Sequence, residues 1–269
     1  ILSFKVRLTL HLVLDTIEHR EDKEFFMNKI KIPKINYHVD RKSYLPAILA
    51  VILTSTIWYF SGHFSSEPFK HNLTVQIIFF LASFMANFIT FDQLTNKTNL
   101  RLIAPLAVIP VAFFIILLVS KERYVSLLGL LTLVPFVSVF LPFQGKNGVG
   151  LISFAFSISV LSPIAFFYIR NAFVSSMFLK TCLLLCLVFL MILFSVFVAH
   201  PEQFIYLEIG LLAVITIFGF VLFKQWSAVL YPMIGILGWY LPRVKLPRNF
   251  ILLVLIILIC VTFLFTAGH

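Results

Sequence analysis

Six polar side chains in an otherwise apolar chain could carry chemistry: Asp92, Asn96 and Arg101 in one stretch, His200 and Glu202 in another, and Glu208 alone. Asp92 and Asn96 are four residues apart, so on a helix they share a face and could jointly hold a hard cation. Arg101 presents five N–H donors in a fixed fork, which suits a phosphate or a carboxylate. His200 and Glu202 stand in HPEQ, a short polar break between apolar runs. Glu208 is the acid that falls clearly inside an apolar run. A charge in hydrocarbon costs about 2.5–3.5 kcal/mol on insertion scales, so Glu208 is expected either to line a polar cavity, binding a cation or taking up protons, or to pair with a nearby base. The six are read together as ligand-binding residues, with Asn87 adding to the polar stretch before Asp92. The plainer reading of 92–101 is a solvated turn. No residue is assigned to catalysis or to a metal, because a magnesium site asks for one or two carboxylates plus phosphate oxygens and this stretch has one acid.

These residues must be positioned by helices in a membrane. Of 269 residues, 61% are hydrophobic and 12% charged, about half the charge density that a water-facing domain of this size carries. The fold class expected is all-α, a polytopic transmembrane bundle of about nine spans, at 17–25 residues for each ~30 Å crossing. The apolar windows fall near 44–61, 73–91, 102–120, 124–142, 149–169, 178–199, 204–223, 226–241 and 249–267. The eighth is short and holds Pro232, Gly235 and Gly238, so it is expected to be kinked, tilted or re-entrant, and eight crossings is the alternative.

Residues 1–43 read as a basic cytoplasmic tail and 44–269 as the membrane domain. Ile1–Leu14 is apolar but broken by Lys5 and Arg7 and too short to cross. A start at Met27, which opens MNKIKIPK, would make residues 1–26 an upstream extension. Nine of the 21 basic residues precede Tyr44. The remaining loops divide evenly between the two sides, so the tail decides the orientation: N-terminus cytoplasmic, in the cell membrane. The net charge of +10 is thereby assigned to an anionic leaflet and not to nucleic acid. Trp58–Tyr59, Trp226 and Trp239–Tyr240 fall at span ends, where amphipathic rings favour the headgroup region.

Other polar features have ordinary readings. Cys182, Cys186 and Cys260 lie inside apolar runs and are expected to pack as small apolar side chains. Ser153, Ser157, Ser159 and Ser162 are expected to bond to backbone or to pack helices. His63, His71 and Glu67 belong to an expected outer loop, as does the sequon Asn72–Leu73–Thr74.

The stretch FDQLTNKTNLRLIAPL resembles the first polar loop of UbiA-type membrane prenyltransferases, which carries Asn-Asp-x-x-Asp-x-x-x-Asp followed by Arg and Pro-Leu. Asp92 takes the middle Asp, Asn96 the last, and Arg101 with Pro105–Leu106 follows. The leading Asn-Asp would fall on Phe88–Ile89, and the second acidic loop is replaced by HPEQ. The resemblance implies the bundle of that family without its diphosphate-holding acids, hence a non-catalytic relative. A second resemblance is to YwiC-like membrane proteins, through Pro33–Lys34 with His38 before the first span and PRVKLPR before the last.

Three functions stay open: a non-catalytic relative of membrane prenyltransferases, a transporter or permease component using Glu208, and a lipid- or isoprenoid-modifying enzyme. The partners expected are the bilayer and a small hydrophobic or phosphorylated ligand.

Overall fold

The structure is a computed structural model and describes residues 44–65, 72–96, 100–119, 123–133, 148–198, 204–223, 226–244 and 246–268. All belong to one compact unit, Arg41–His269. The expected tail (1–43), His200 and Glu202, and the second half of the expected fourth span lie outside the described residues.

Every regular element among the described residues is helical. The α-helices are α1 (Leu45–His63), α2 (Leu73–Asn96), α3 (Leu100–Val119), α4 (Arg123–Thr132), α5 (Gly148–Phe156), α6 (Ser162–Asn171), α7 (Ser176–Phe197), α8 (Ile205–Phe223), α9 (Leu230–Tyr240) and α10 (Arg248–Ala267). A π-turn, Ser157–Leu161, joins α5 to α6 in one continuous run, and 3-10 turns at Trp226–Val229 and Leu241–Arg243 extend α9 at both ends. Six of these runs are long and apolar enough to cross a bilayer: Leu45–His63, Leu73–Thr95, Gly148–Asn171, Ser176–Phe197, Ile205–Phe223 and Asn249–Ala267.

Successive runs alternate in direction. Ser126 Oγ donates to Phe114 O at 2.7 Å, Tyr124 meets Tyr168, and Ser157 Oγ donates to Thr132 O at 3.2 Å, so α4 runs against α3 and against α5–α6. Tyr231 and Thr266 share a hydrogen bond of 3.2 Å, which sets α9 against α10. Phe60 and Phe263 are 4.9 Å apart, which sets α1 and α10 parallel. The bundle therefore has one end carrying His63, Arg170 and Ala267, and another carrying Leu45, Gly148, Val198 and Glu208.

The core between the ends is aromatic. Phe167 stacks on Phe178 at 4.4 Å, Phe79 meets Phe166 edge-on at 4.8 Å, and Phe189 meets Phe263 at 5.0 Å. Where hydrocarbon is the solvent, burying apolar area gains little, and close packing with offset rings does the ordering. Two helices approach closely where the sequence has glycine. A Cβ on Gly238 would stand 2.8 Å from the Ile192 Cα, so α9 seats on α7 through that missing side chain.

Two expectations are refined here. Pro232 is the third residue of α9, just where the 3-10 turn Trp226–Val229 gives way to the α-helix, so the ring stands at the change of helix type, where the N–H it lacks is least missed. Each Trp–Tyr pair splits: Tyr59 and Tyr240 are exposed, whereas Trp58 and Trp239 turn their indole N–H groups inward.

Candidate functional site

Helix α8 offers the bundle a stripe: Glu208, Leu211, Leu212, Ile215, Gly219 and Leu222 are among its buried or partly buried positions, at the three- and four-residue spacing of a helix face. Glu208 stands in the first turn, where the helix dipole favours a carboxylate, and its side chain is 1% exposed. Its Oε2 accepts from Trp239 Nε1 at 2.6 Å and from Arg243 Nη2 at 2.8 Å. Arg243 Nη1 also donates to Trp239 O at 2.6 Å, and the guanidinium lies 4.0 Å over the Trp239 ring. Trp239 and Arg243 are four apart on one helical run, so a single turn delivers an indole donor, a cation and a ring face to one acid. The acid expected in the seventh span thus has its base, and two neighbours come with it. Arg243 reads in sequence only as a loop charge and Trp239 only as an interface anchor. Their four-residue spacing opposite an intramembrane acid is the signal that links them.

Glu208 Oε1 is buried and has no hydrogen-bond partner among the described residues. The residue lies at the edge of a recess of 270 Å³ also walled by Met191, Ile209, Leu212, Ile236 and Trp239. On the other flank of α8 a second recess of 340 Å³ lies among Leu151, Ile152, Leu190, Phe194, Leu207 and Leu211. The walls of both are apolar apart from Glu208 and the Trp239 N–H, and Ile152, Leu207, Ile209 and Ile236 on their rims are exposed.

The other predicted residues divide. Asp92 and Asn96 both lie on α2, which runs through Asn96, and Arg101 is in the first turn of α3. Phe91 meets Phe154, which meets Phe197, so Asp92 is at the same end as Glu208. The packing separates them nonetheless. Helix α2 packs on α1, α3, α4 and α6, while α8 packs on α7, α9 and the Trp226–Val229 turn. Asn87 is structural: its Nδ2 donates to Thr54 Oγ1 at 3.1 Å and ties α2 to α1. Among the described residues no three His, Cys, Asp or Glu side chains come together.

A second polar cluster, missed from sequence, occupies the opposite end. Arg170, one residue past the expected fifth span, is in the last turn of α6 and 1% exposed. Its Nε donates to Gln76 Oε1 at 3.0 Å, which also accepts from Trp58 Nε1 at 2.8 Å, and Nη2 reaches Trp58 O at 3.4 Å. Gln76 inside the second apolar run was the legible clue. The hydroxyls of the π-turn are engaged with backbone, Ser157 with Thr132 O and Ser159 with Ala155 O. Cys182, Cys186 and Cys260 are free and buried.

No protein-family model, no curated protein and no solved structure matches the chain.

Proposed function

We propose that this is a nine-pass protein of the cell membrane, N-terminus cytoplasmic, that binds a hydrophobic ligand drawn from the lipid phase beside α8 and does not transform it. The observation that carries this reading is the apolar recess of 340 Å³ between α5, α7 and α8, within the size range of small-molecule sites. Its exposed rim at Ile152 and Leu207 faces the side from which a lipid-soluble molecule would come. The nine-pass reading counts α3, the fourth apolar window and the α9 run with the six long runs, and the basic residues before Tyr44 support the orientation. The non-catalytic part rests on sequence: Asp92, Asn96 and Arg101 occupy prenyltransferase-like positions without the remaining acids, and His200 with Glu202 supplies one carboxylate in place of a cluster.

The test is photo-crosslinking of the full chain in nanodiscs with a diazirine-bearing alkyl-chain probe, mapped by mass spectrometry. Labels should concentrate on Ile152 and Leu207 and disappear in Leu211→Trp, which fills the recess. Labels spread evenly over lipid-facing positions such as Ile115 and Ile217, and indifferent to Leu211→Trp, would overturn the reading.

A carrier is the second reading, and the π-turn at Ser157–Leu161 favours it, since such turns interrupt the regular ladder within a buried run. It requires solute movement in proteoliposomes that Glu208→Gln alters.

A further inference from the structure

Two basic stretches lie far apart in the sequence, the tail before α1 and PRVKLPR before α10. The fold brings them to one place. Helices α1 and α10 pack against each other, and Phe60 meets Phe263 fifteen residues past the first residue of each helix. The Thr56 hydroxyl and the Cys260 thiol share a hydrogen bond about one turn earlier, so the contact runs parallel and in step. The first turns of α1 and α10 therefore stand level, about 8–10 Å apart as packed helices do. Arg41 and Lys42 precede Leu45 by four and three residues, a length of chain that reaches at most about 14 Å.

The turn between α9 and α10 is held by its own backbone. Pro242 and Pro247 fix φ, and Val244 N–H donates to Leu241 O at 3.2 Å, Leu246 N–H to Val244 O at 2.7 Å and Phe250 N–H to Pro247 O at 2.9 Å. The sequence of this turn carries Arg243, Lys245 and Arg248 within six residues. Arg243 uses two of its five N–H donors on Trp239 O and Glu208 Oε2, and its side chain is 27% exposed. With Asp40 in the first stretch and Glu208 beside the second, five cations are set against two carboxylates. Asp92 at the same end is on α2, outside the main neighbours of α10, which are α1, α7 and α9. Exposed apolar side chains stand at the same level, Tyr44, Val244, Leu246 and Phe250. Excess positive charge interleaved with apolar groups at the ends of two membrane helices matches a charged headgroup that continues into hydrocarbon. A soluble phosphate would gain nothing from the apolar members.

We propose that the α9–α10 turn and the basic stretch before α1 form one site for the phosphate headgroup of an anionic phospholipid, whose chains stay in the surrounding bilayer. The site is independent of the recess between α5, α7 and α8, since none of these residues lines it.

The experiment uses the full chain in phosphatidylcholine nanodiscs with a trace of diazirine-bearing phosphatidylglycerol or phosphatidylcholine, mapped by mass spectrometry. Labelling of residues 41–45 and 241–250 by the anionic probe should exceed that by the zwitterionic one at least fivefold, and 1 M salt should reduce the preference below about twofold. Lys245→Gln with Arg248→Gln should bring it to about twofold, and Arg41→Gln with Lys42→Gln should do the same, although the two pairs are some 200 residues apart in sequence. Lys245→Arg with Arg248→Lys should keep it. Arg123→Gln with Lys180→Gln removes the same charge from exposed positions at the opposite end and should leave it unchanged. Equal labelling of both stretches by the two probes would overturn the proposal. An equal loss from the Arg123 and Lys180 pair would replace the site with diffuse attraction by net charge, and an unaffected preference in the Arg41 and Lys42 pair would separate the two stretches. Displacement of the anionic probe by inorganic phosphate would mark a soluble ligand and sink the lipid assignment. The salt dependence is read on the unaltered protein, so the test stands even where a variant does not fold.

Discussion

The two ends of the bundle solve the same problem with different acceptors. At each, an indole N–H and a guanidinium converge on one side-chain oxygen: Trp58 and Arg170 on Gln76 Oε1, Trp239 and Arg243 on Glu208 Oε2. An amide has a single oxygen, and two donors occupy both of its lone pairs, so the Gln76 acceptor is closed. A carboxylate satisfied in the same way keeps a second oxygen, and at Glu208 that oxygen is buried with no hydrogen-bond partner among the described residues. The cations differ in the opposite sense, Arg170 fully buried and Arg243 27% exposed. One end is a fastening and the other is a fastening with a vacant acceptor.

Substitutions can break that contrast. The largest effect is expected for Arg170→Leu, on the order of 3 kcal/mol, since it strips a buried oxygen and a carbonyl of charged donors. The readout is the unfolding midpoint in detergent, and a loss smaller than that of Glu208→Gln would invert the comparison. Gly238→Ala comes next, at about 1–3 kcal/mol, because its Cβ meets the Ile192 backbone and forces α9 off α7. It should loosen the Glu208 end and leave the Trp58 environment unchanged by indole NMR. Gly148→Ala, with nothing within 4 Å of the added carbon, should stay within about 0.5 kcal/mol under the same measurement. Glu208→Gln should cost only about 1 kcal/mol, as an amide oxygen still accepts from Trp239 and Arg243, so a collapse of the fold would show that the charge and not the geometry holds this end. Tyr240→Phe, on the exposed member of its pair, should shift the midpoint least, by under about 0.5 kcal/mol.

What the sequence discloses follows from which physics is local. Span positions depend on the length of apolar runs alone, and five of the six long runs begin and end within about three residues of where windowed apolarity puts them; the second continues four residues beyond its window, to Thr95. That continuation of α2 through Asp92 and Asn96 was not set by apolarity, since the window closes at 91 and the plainer reading of 92–101 was a solvated turn. The polar clusters were not legible, because they join residues 18 to 112 positions apart. Arg170 shows the difficulty: one residue past an expected span end, its charge argues for the loop, and only Gln76 and Trp58 across the bundle make burial tolerable. Glu208 was legible as an anomaly, since a lone acid in an apolar run must find compensation, but its partners wait for the hairpin of α8 and α9 to close.

The scant burial of α8 has a mechanical consequence. The helix has 19 residues with Glu208, Ile215 and Gly219 as its buried positions, and at helical rise it is about 28 Å long, close to the thickness of the hydrocarbon it would cross. Pinned in its first turn by a tryptophan and an arginine and lightly held beyond, it is the element best able to tilt when the bilayer thins or thickens. Glu208 would then act as the pivot, and the spaces on either flank would widen and narrow in opposition as the membrane changed around them.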